Sequence, residues 1–237
     1  MSSPTGPFDQ WLTPRREMSW RPGSAAISEP IAKLGGQPFW LDEPFWPVSA
    51  SSGDPMTFIG QFPAPGGAAL AYLFLSDADG SYDPDGGENA LIVQPGGRIP
   101  SFLKGENRRT GPSLWRRGTD WNDRVPVELH IDLRPPDPAT LPVYERQLAE
   151  QDAERRGEPL EPDENAYLEK RDYLGGRPVF WQPWAVEEIG ESWRFFFQLD
   201  GAEGSGDDAF ALPYGGGTGY AFLSEDQREG RFFWDCA

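Results

Sequence analysis

Cysteine and histidine are almost missing from this chain: Cys236 and His130 are the only ones. A single thiol excludes an intrachain disulfide and any cysteine-based zinc site. Any Ser-His-acid triad has to use His130. No apolar run approaches the roughly 18 residues that a membrane-spanning helix needs. Met1 to Gln10 carries no basic segment followed by an apolar one, so no secretory leader is expected. Positive charge is scarce as well: 21 Lys and Arg face 38 Asp and Glu, a net charge of −17. Such a field repels phosphate backbones and anionic lipid, so neither nucleic acid nor a membrane is an expected partner. A cytoplasmic protein is the expectation.

Turn-forming residues are plentiful. The 28 Gly and 25 Pro are too many for a helical bundle and suit short strands joined by turns. Ten Trp within 14% aromatic content supply the apolar surface for a core. Apolar continuity predicts buried strands over Met56–Phe62, Ala68–Ser76 and Ala90–Gln94. Val127, Leu129, Ile131 and Leu133 alternate with Glu128, His130 and Asp132, which predicts a strand over Val125–Leu133 with one solvated face. Helical spacing of Leu141, Tyr144 and Leu148 predicts a helix over Pro138–Gly157. Shorter helices are expected near Phe8–Met18 and from Pro162 to about Leu174.

The chain also resembles itself. Leu34-Gly35-Gly36-Gln37-Pro38 matches Leu174-Gly175-Gly176-Arg177-Pro178. Phe58-Ile59-Gly60-Gln61-Phe62 matches Phe195-Phe196-Phe197-Gln198-Leu199, and Tyr72 to Asp77 matches Tyr220 to Glu225. Three blocks in one order predict two copies of one unit. A glutamine inside an apolar strand needs partners when buried. Gln61 and Gln198 are therefore candidates either for a ligand site near the seam between the halves or for local bonds to a neighbouring strand or turn.

These blocks, with Trp46-Pro47, Pro55 to Gln61, Phe197 to Asp200 and Gly215 to Leu223, resemble the YwqG-like family, a bacterial domain family of unknown function. The resemblance covers about residues 30–236 and brings no catalytic residues with it. Asp77 to Gly87 reads as a lengthened acidic loop relative to that pattern. What the resemblance implies is a binding or toxin-neutralising (immunity) role.

No constellation reads as catalytic. His130 lies between Glu128 and Asp132 with no serine in a nucleophile-elbow context. Cys236 follows Asp235, which works against a reactive thiolate. Gly215 to Gly219 precedes a strand and is followed by no lysine, unlike a phosphate loop. Asp77, Asp79, Ser81, Asp83, Asp85 and Glu88 have the alternate spacing of a calcium loop, but Tyr82 stands where glycine belongs. A solvated acidic turn is the simpler reading, and neither metal nor cofactor is expected. Trp40, Trp46, Trp181 and Trp184 near the Gly-Gly turns suit core packing or sugar stacking. Arg108-Arg109 and Arg116-Arg117, with Trp115 and Trp121, form the one positive stretch, able to touch an anion or simply to balance local acids.

The fold expected is α+β, mainly antiparallel, in one compact domain: a β-rich half over 30–135, a helical connector over 136–173 and a second β-rich half over 174–237. The function expected first is binding of a basic protein partner through an acidic rim of Asp77, Asp79, Asp83, Asp85, Glu88, Glu203, Asp207 and Asp208. The alternative is a small-ligand binder or enzyme using a cleft between the halves. A deep polar cleft would favour the alternative, and a convex acidic face with exposed aromatics the first.

Overall fold

The structure, a computed structural model, describes residues 13–23, 25–78, 80–120, 122–158, 172–182, 189–190 and 192–236. Among these residues it is mainly antiparallel β with one named helix, an α+β fold. Strands are β1 (Arg16–Pro22), β2 (Lys33–Gly35), β3 (Trp46–Val48), β4 (Thr57–Pro63), β5 (Leu70–Leu75), β6 (Asn89–Gln94) and β7 (Lys104–Glu106). There follow β8 (Trp115–Arg117), β9 (Arg124–Pro126), β10 (Glu128–Arg134), helix α1 (Leu141–Arg155), β11 (Tyr173–Leu174), β12 (Arg194–Asp200), β13 (Thr218–Leu223) and β14 (Gly230–Asp235).

Ten strands form one sheet in the order β14-β13-β12-β11-β1-β10-β2-β4-β5-β6. The order reads outward from the central β1–β10 pair in the same way on both sides. β2, β4, β5 and β6 on one flank correspond in sequence order and antiparallel pairing to β11, β12, β13 and β14 on the other. Register slips once on each flank, between Phe58 and Gly60 in β4 and between Phe195 and Phe197 in β12. These are the same positions in the matched sequence blocks.

The glycine pairs sit at equivalent turns. Gly35 and Gly36 have φ of 67° and 64°, and Gly175 and Gly176 have 73° and 71°. L-residues rarely take such angles. Space is short as well: a Cβ on Gly35 would lie 2.0 Å from the Val127 carbonyl oxygen, and one on Gly175 2.5 Å from that of Pro14. Each glycine turn therefore lets β10 or β1 pass close alongside.

Residues after each turn are clasped to the sheet by matching contacts. Gln61 Oε1 accepts the Phe39 amide at 2.8 Å, and Gln198 Oε1 accepts that of Val179 at 3.1 Å. The Tyr72 hydroxyl donates to the Phe39 carbonyl, and the Tyr220 hydroxyl to that of Val179. Gln94 Oε1 accepts the Asp42 amide, and Asp235 Oδ2 that of Gln182. A segment without secondary structure is thereby fixed with its backbone groups satisfied.

Strand alternation then divides the core. One face of the sheet contributes Leu34, Ile59, Phe62, Leu73, Leu129, Phe197, Leu199, Leu223 and Phe232 to an interior shared by both flanks. The opposite face is covered on one side by Phe39, Trp40 and Trp46 over Phe58, Tyr72 and Phe74, and on the other by α1 over Tyr173, Tyr220 and Phe222. The sheet curls until its edges meet. Arg98 N donates to the Arg228 carbonyl at 2.6 Å, Arg228 Nε donates to Gly96 O, and the Arg98 guanidinium grips Asp226 and Glu229. Arg98 thereby holds the Asp226 carboxyl below the usual carboxylate range. Curling covers both edge strands, which would otherwise offer unpaired backbone to another chain.

Several expectations change. Arg16 to Met18 is strand, because Arg16 pairs with Leu174 of β11 and Glu17 and Met18 with Arg134 and Leu133 of β10, so the helix expected near Phe8–Met18 does not extend there; residues 8–12 lie outside the described set. Tyr173–Leu174 is likewise strand, paired with β12, where a helix was expected to end; 162–171 lie outside the described set. The Val125–Leu133 segment is two strands, β9 and β10, separated by Val127, whose amide turns to the Leu114 carbonyl. Helix α1 stops at Gly157, which has φ of 66°. It packs on the second flank, Gln151 bonding both the Phe180 amide and the Pro178 carbonyl, rather than bridging the two.

Candidate functional site

One open end of the curled sheet gathers the chain's unusual side chains. β4 begins there, β5 ends there, and the loop from β12 to β13 returns there, as the antiparallel pairings Thr57–Leu75 and Asp200–Thr218 require. The β8–β9 hairpin arches over this end and is zipped to the β12–β13 loop. Trp115 O accepts the Ala211 amide at 2.7 Å, and Arg117 N donates to Gly204 O at 2.9 Å. Beneath the hairpin lies a cleft of about 560 Å³, within the size range of small-molecule sites.

Its floor is apolar, with Ile59, Ala211 and Leu212. Its walls are charged and aromatic: Trp115, Arg117 and Arg124 from the hairpin, Asp77 from the loop after β5, and Glu203 from the β12–β13 loop. The Arg124 guanidinium lies 4.4 Å from the centroid of the Trp115 ring and donates to Asp77 Oδ2 at 3.0 Å. Arg117 Nε donates to the Glu203 carbonyl at 3.0 Å. A ring face held against a guanidinium, beside carboxylates and over an apolar floor, can seat a flat group and orient a charged one.

Asp77 and Glu203 come from the two acidic loops singled out in the sequence, and the fold brings both to this one cleft. The other acids are used differently. Asp83 Oδ1 accepts the Asp85 amide, and Asp85 pairs with Arg231 at 2.8 Å. Asp208 turns back to accept the Glu203 and Gly204 amides, while Asp207 is exposed. Glu88 is 4% exposed, so it leaves the expected rim. Its carboxylate accepts from the Ser76 hydroxyl and the Ser51 amide. Burial pushes the Glu88 carboxyl up, but bonds from Ser76, Ser49 and Ser51 outweigh it, and the net shift is downward. Asp79, Trp121 and Trp184 lie outside the described residues.

Gln61 and Gln198 are fully buried in the clasps and line none of the described cavities. Gln61 Nε2 also donates to the Glu29 and Ile31 carbonyls, so its bonding capacity is used by backbone. His130 sits on β10, with both flanking carboxylates engaged elsewhere: Glu128 with Lys33 at 2.7 Å and Asp132 with Arg21 at 3.1 Å. Trp46 is buried, with Nε1 donating to the Met56 carbonyl, and Trp40 packs on Tyr72 and Phe74. Among the described residues no three His, Cys, Asp or Glu side chains gather as a metal ion would need, and no helix is long and apolar enough to cross a membrane. Arg124, which supplies the charge nearest the Trp115 face, had no sequence signal beyond its place after Trp121.

The fold is mainly antiparallel α+β, with a cleft at the open end of a curled sheet. No family model, curated protein or solved structure matches the chain.

Proposed function

We propose that this protein is a cytoplasmic binding module whose ligand is a small molecule seated in the cleft under the β8–β9 hairpin. The observation that carries the reading is convergence: Trp115 and Arg124 from the hairpin, Asp77 and Glu203 from two separate loops, meet over one apolar floor. Concave polar convergence of this kind is what separates a ligand site from a generic surface. Large apolar side chains exposed elsewhere among the described residues are Tyr82, Ile99 and Val125, scattered singly rather than as a docking patch. No nucleophile and general base are paired in the cleft, so the reading is binding without turnover. Membership of the YwqG-like family, and descent of the two flanks from one duplicated unit, are part of the proposal. They rest on the matched blocks and on the paired clasps and bulges.

Native mass spectrometry after incubation with a small-molecule extract of the host tests it. A bound species is expected on the wild type and lost in both Trp115→Ala and Arg124→Ala. Bound species unchanged in both variants, or turnover of a small substrate by the purified protein, defeats the reading.

A second reading has its own observation. The net charge of −17 exceeds the magnitude of roughly 2–8 that serves solubility. Acids from both loops edge the cleft, so a basic protein partner, such as a toxin, could insert a cationic side chain there.

A further inference from the structure

A second cavity, of about 390 Å³, lies on the other side of Arg117, between the turn of the β8–β9 hairpin and the loop at Gly204 to Gly206. Its lining is unusual for this molecule. Arg116, Arg117, Thr119 and Ser205 supply the side chains, glycines supply the rest, and no carboxylate lines it. In a chain with 38 acidic residues, an acid-free cavity with two guanidiniums is a local reversal of charge. The surrounding sequence shares the reversal: from Lys104 to Arg124 there are six basic residues and three acidic ones.

One neighbouring acid is engaged by the loop itself. Asp208 sits behind the loop, its Oδ2 accepting the Glu203 and Gly204 amides at 3.0 and 3.1 Å. Asp123 lies across the hairpin, where its main-chain carbonyl accepts the Gly118 amide and its side chain packs beside Gly118, adjoining the cavity without lining it. Arg117 is oriented by its Nε bond to Glu203 O and by the Trp115 ring. Arg116 is exposed, with NH1 3.5 Å from the Arg117 carbonyl. Gly204 and Gly206 have φ of 74° and 62°, so the loop wall carries no side chain at either position. Donors thus surround the space: guanidinium N–H groups that form forked bonds to oxyanions, and two hydroxyls. More distant carboxylates are screened over a Debye length of about 8 Å at physiological salt.

We propose that this cavity is an oxyanion site for a phosphoryl group, and that the group belongs to a phosphomonoester whose organic part lies in the adjoining cleft against Trp115. The first part stands on the cavity alone; the second rests on the ligand-binding reading given above. A phosphomonoester carries about two negative charges at neutral pH and three acceptor oxygens, which matches the guanidinium and hydroxyl donors of the lining.

Titration with inorganic phosphate at constant ionic strength, followed through the backbone amide signals of Gly118, Gly204 and Gly206, tests the first part. Saturable shifts are expected with a dissociation constant on the order of 1 mM. Arg116→Gln is expected to weaken binding about tenfold and Ser205→Ala by less, with thermal midpoints unchanged because both side chains are exposed. Sulfate should bind comparably. Shifts that rise without saturation, that chloride reproduces, or that keep the wild-type affinity in Arg116→Gln overturn the site, and acetate binding tighter than phosphate overturns its assignment to a phosphoryl group. Phenyl phosphate tests the second part: binding about tenfold tighter than phosphate, with the gain lost in Trp115→Ala, is expected. Equal affinity for the two probes would leave the oxyanion site standing and remove the shared-ligand claim.

Discussion

Phe62 and Phe197 stack across the interior of the curled sheet, with ring centroids 4.0 Å apart and planes inclined by 26°. Phe62 belongs to β4 and Phe197 to β12, so this contact joins the two flanks directly. Each ring is fully buried. Phe62→Ala and Phe197→Ala should each cost about 3–5 kcal/mol in urea unfolding, from lost burial and the cavity left behind. The double variant should cost less than the two together, by a coupling of about 0.5–1.5 kcal/mol. Strict additivity would show that the stack does not couple the flanks.

Lys33 and Glu128 form a buried ion pair at 2.7 Å, and Lys33 Nζ also donates to the Ile27 carbonyl. At the matching place on the other flank, the Arg15 guanidinium lies 4.6 Å from the Tyr173 ring centroid and 4.4 Å from that of Tyr144. Both flanks thus set a carboxylate beside the buried cation, Glu128 for Lys33 and Glu17, at 3.3 Å, for Arg15, and the second flank adds two aromatic faces. Lys33→Ala should destabilise by about 3–5 kcal/mol, since it strands a carboxylate in a dry setting. Lys33→Met combined with Glu128→Gln should recover part of that loss. Equal stability of the single and double variants would contradict the account.

Tyr72 donates to the Phe39 carbonyl and accepts the Leu41 amide. Burial pushes its hydroxyl up to about 12 from the ordinary 10.0, against a smaller opposing effect of the Leu41 amide. Burial also raises Tyr214, with the charges of Asp172 and Asp200 adding to it. The unfolded chain therefore releases these protons first as pH rises. Stability held below pH 10 should fall between about pH 10 and 12, by up to roughly 1.4 kcal/mol per pH unit for each group. Tyr72→Phe should lower stability at pH 8 by about 1–3 kcal/mol and flatten the alkaline slope. An unchanged slope would place the titration elsewhere.

The cleft's acids separate the two functional readings. Asp77 and Arg124 are both more than half exposed, so Asp77→Asn and Glu203→Gln should alter stability by no more than about 1 kcal/mol each. If a basic partner binds there, the double variant should slow association, and wild-type association should itself slow steeply between about 50 and 200 mM salt. If an anionic ligand binds, the same variant should tighten it, because Arg124 loses its competing carboxylate. Stopped-flow and calorimetric titration distinguish these directions.

Legibility in the sequence followed length and regularity. β4, β5 and β6 are readable as apolar runs, and α1 from its spacing, because each is long enough to carry a signal. β2 and β11 span three and two residues, and only the glycines after them gave a signal. β1 is hard to read because its alternation is limited to Met18 and Trp20; its pairing with β10, over a hundred residues away, decides its conformation. The site was legible in parts. Asp77, Glu203, Trp115 and the arginine pair stood out by composition, but Arg117 meets Glu203 across 86 residues through the curl of the sheet. No local pattern encodes that meeting.

The N-terminal strand β1 lies between β10 and β11, inside the sheet and next to the flank made by the C-terminal residues. During synthesis, residues 33–134 can assemble β10-β2-β4-β5-β6 while β1 waits on one open side of β10. The final five-strand run is then completed by a strand made at the very beginning. Cutting the chain near Gly157 should accordingly yield two pieces that are each incomplete, and that restore the fold only when mixed. A protein stitched in this way resists being shortened to either half, and its ends cannot be trimmed past Arg16 without opening the middle of the sheet.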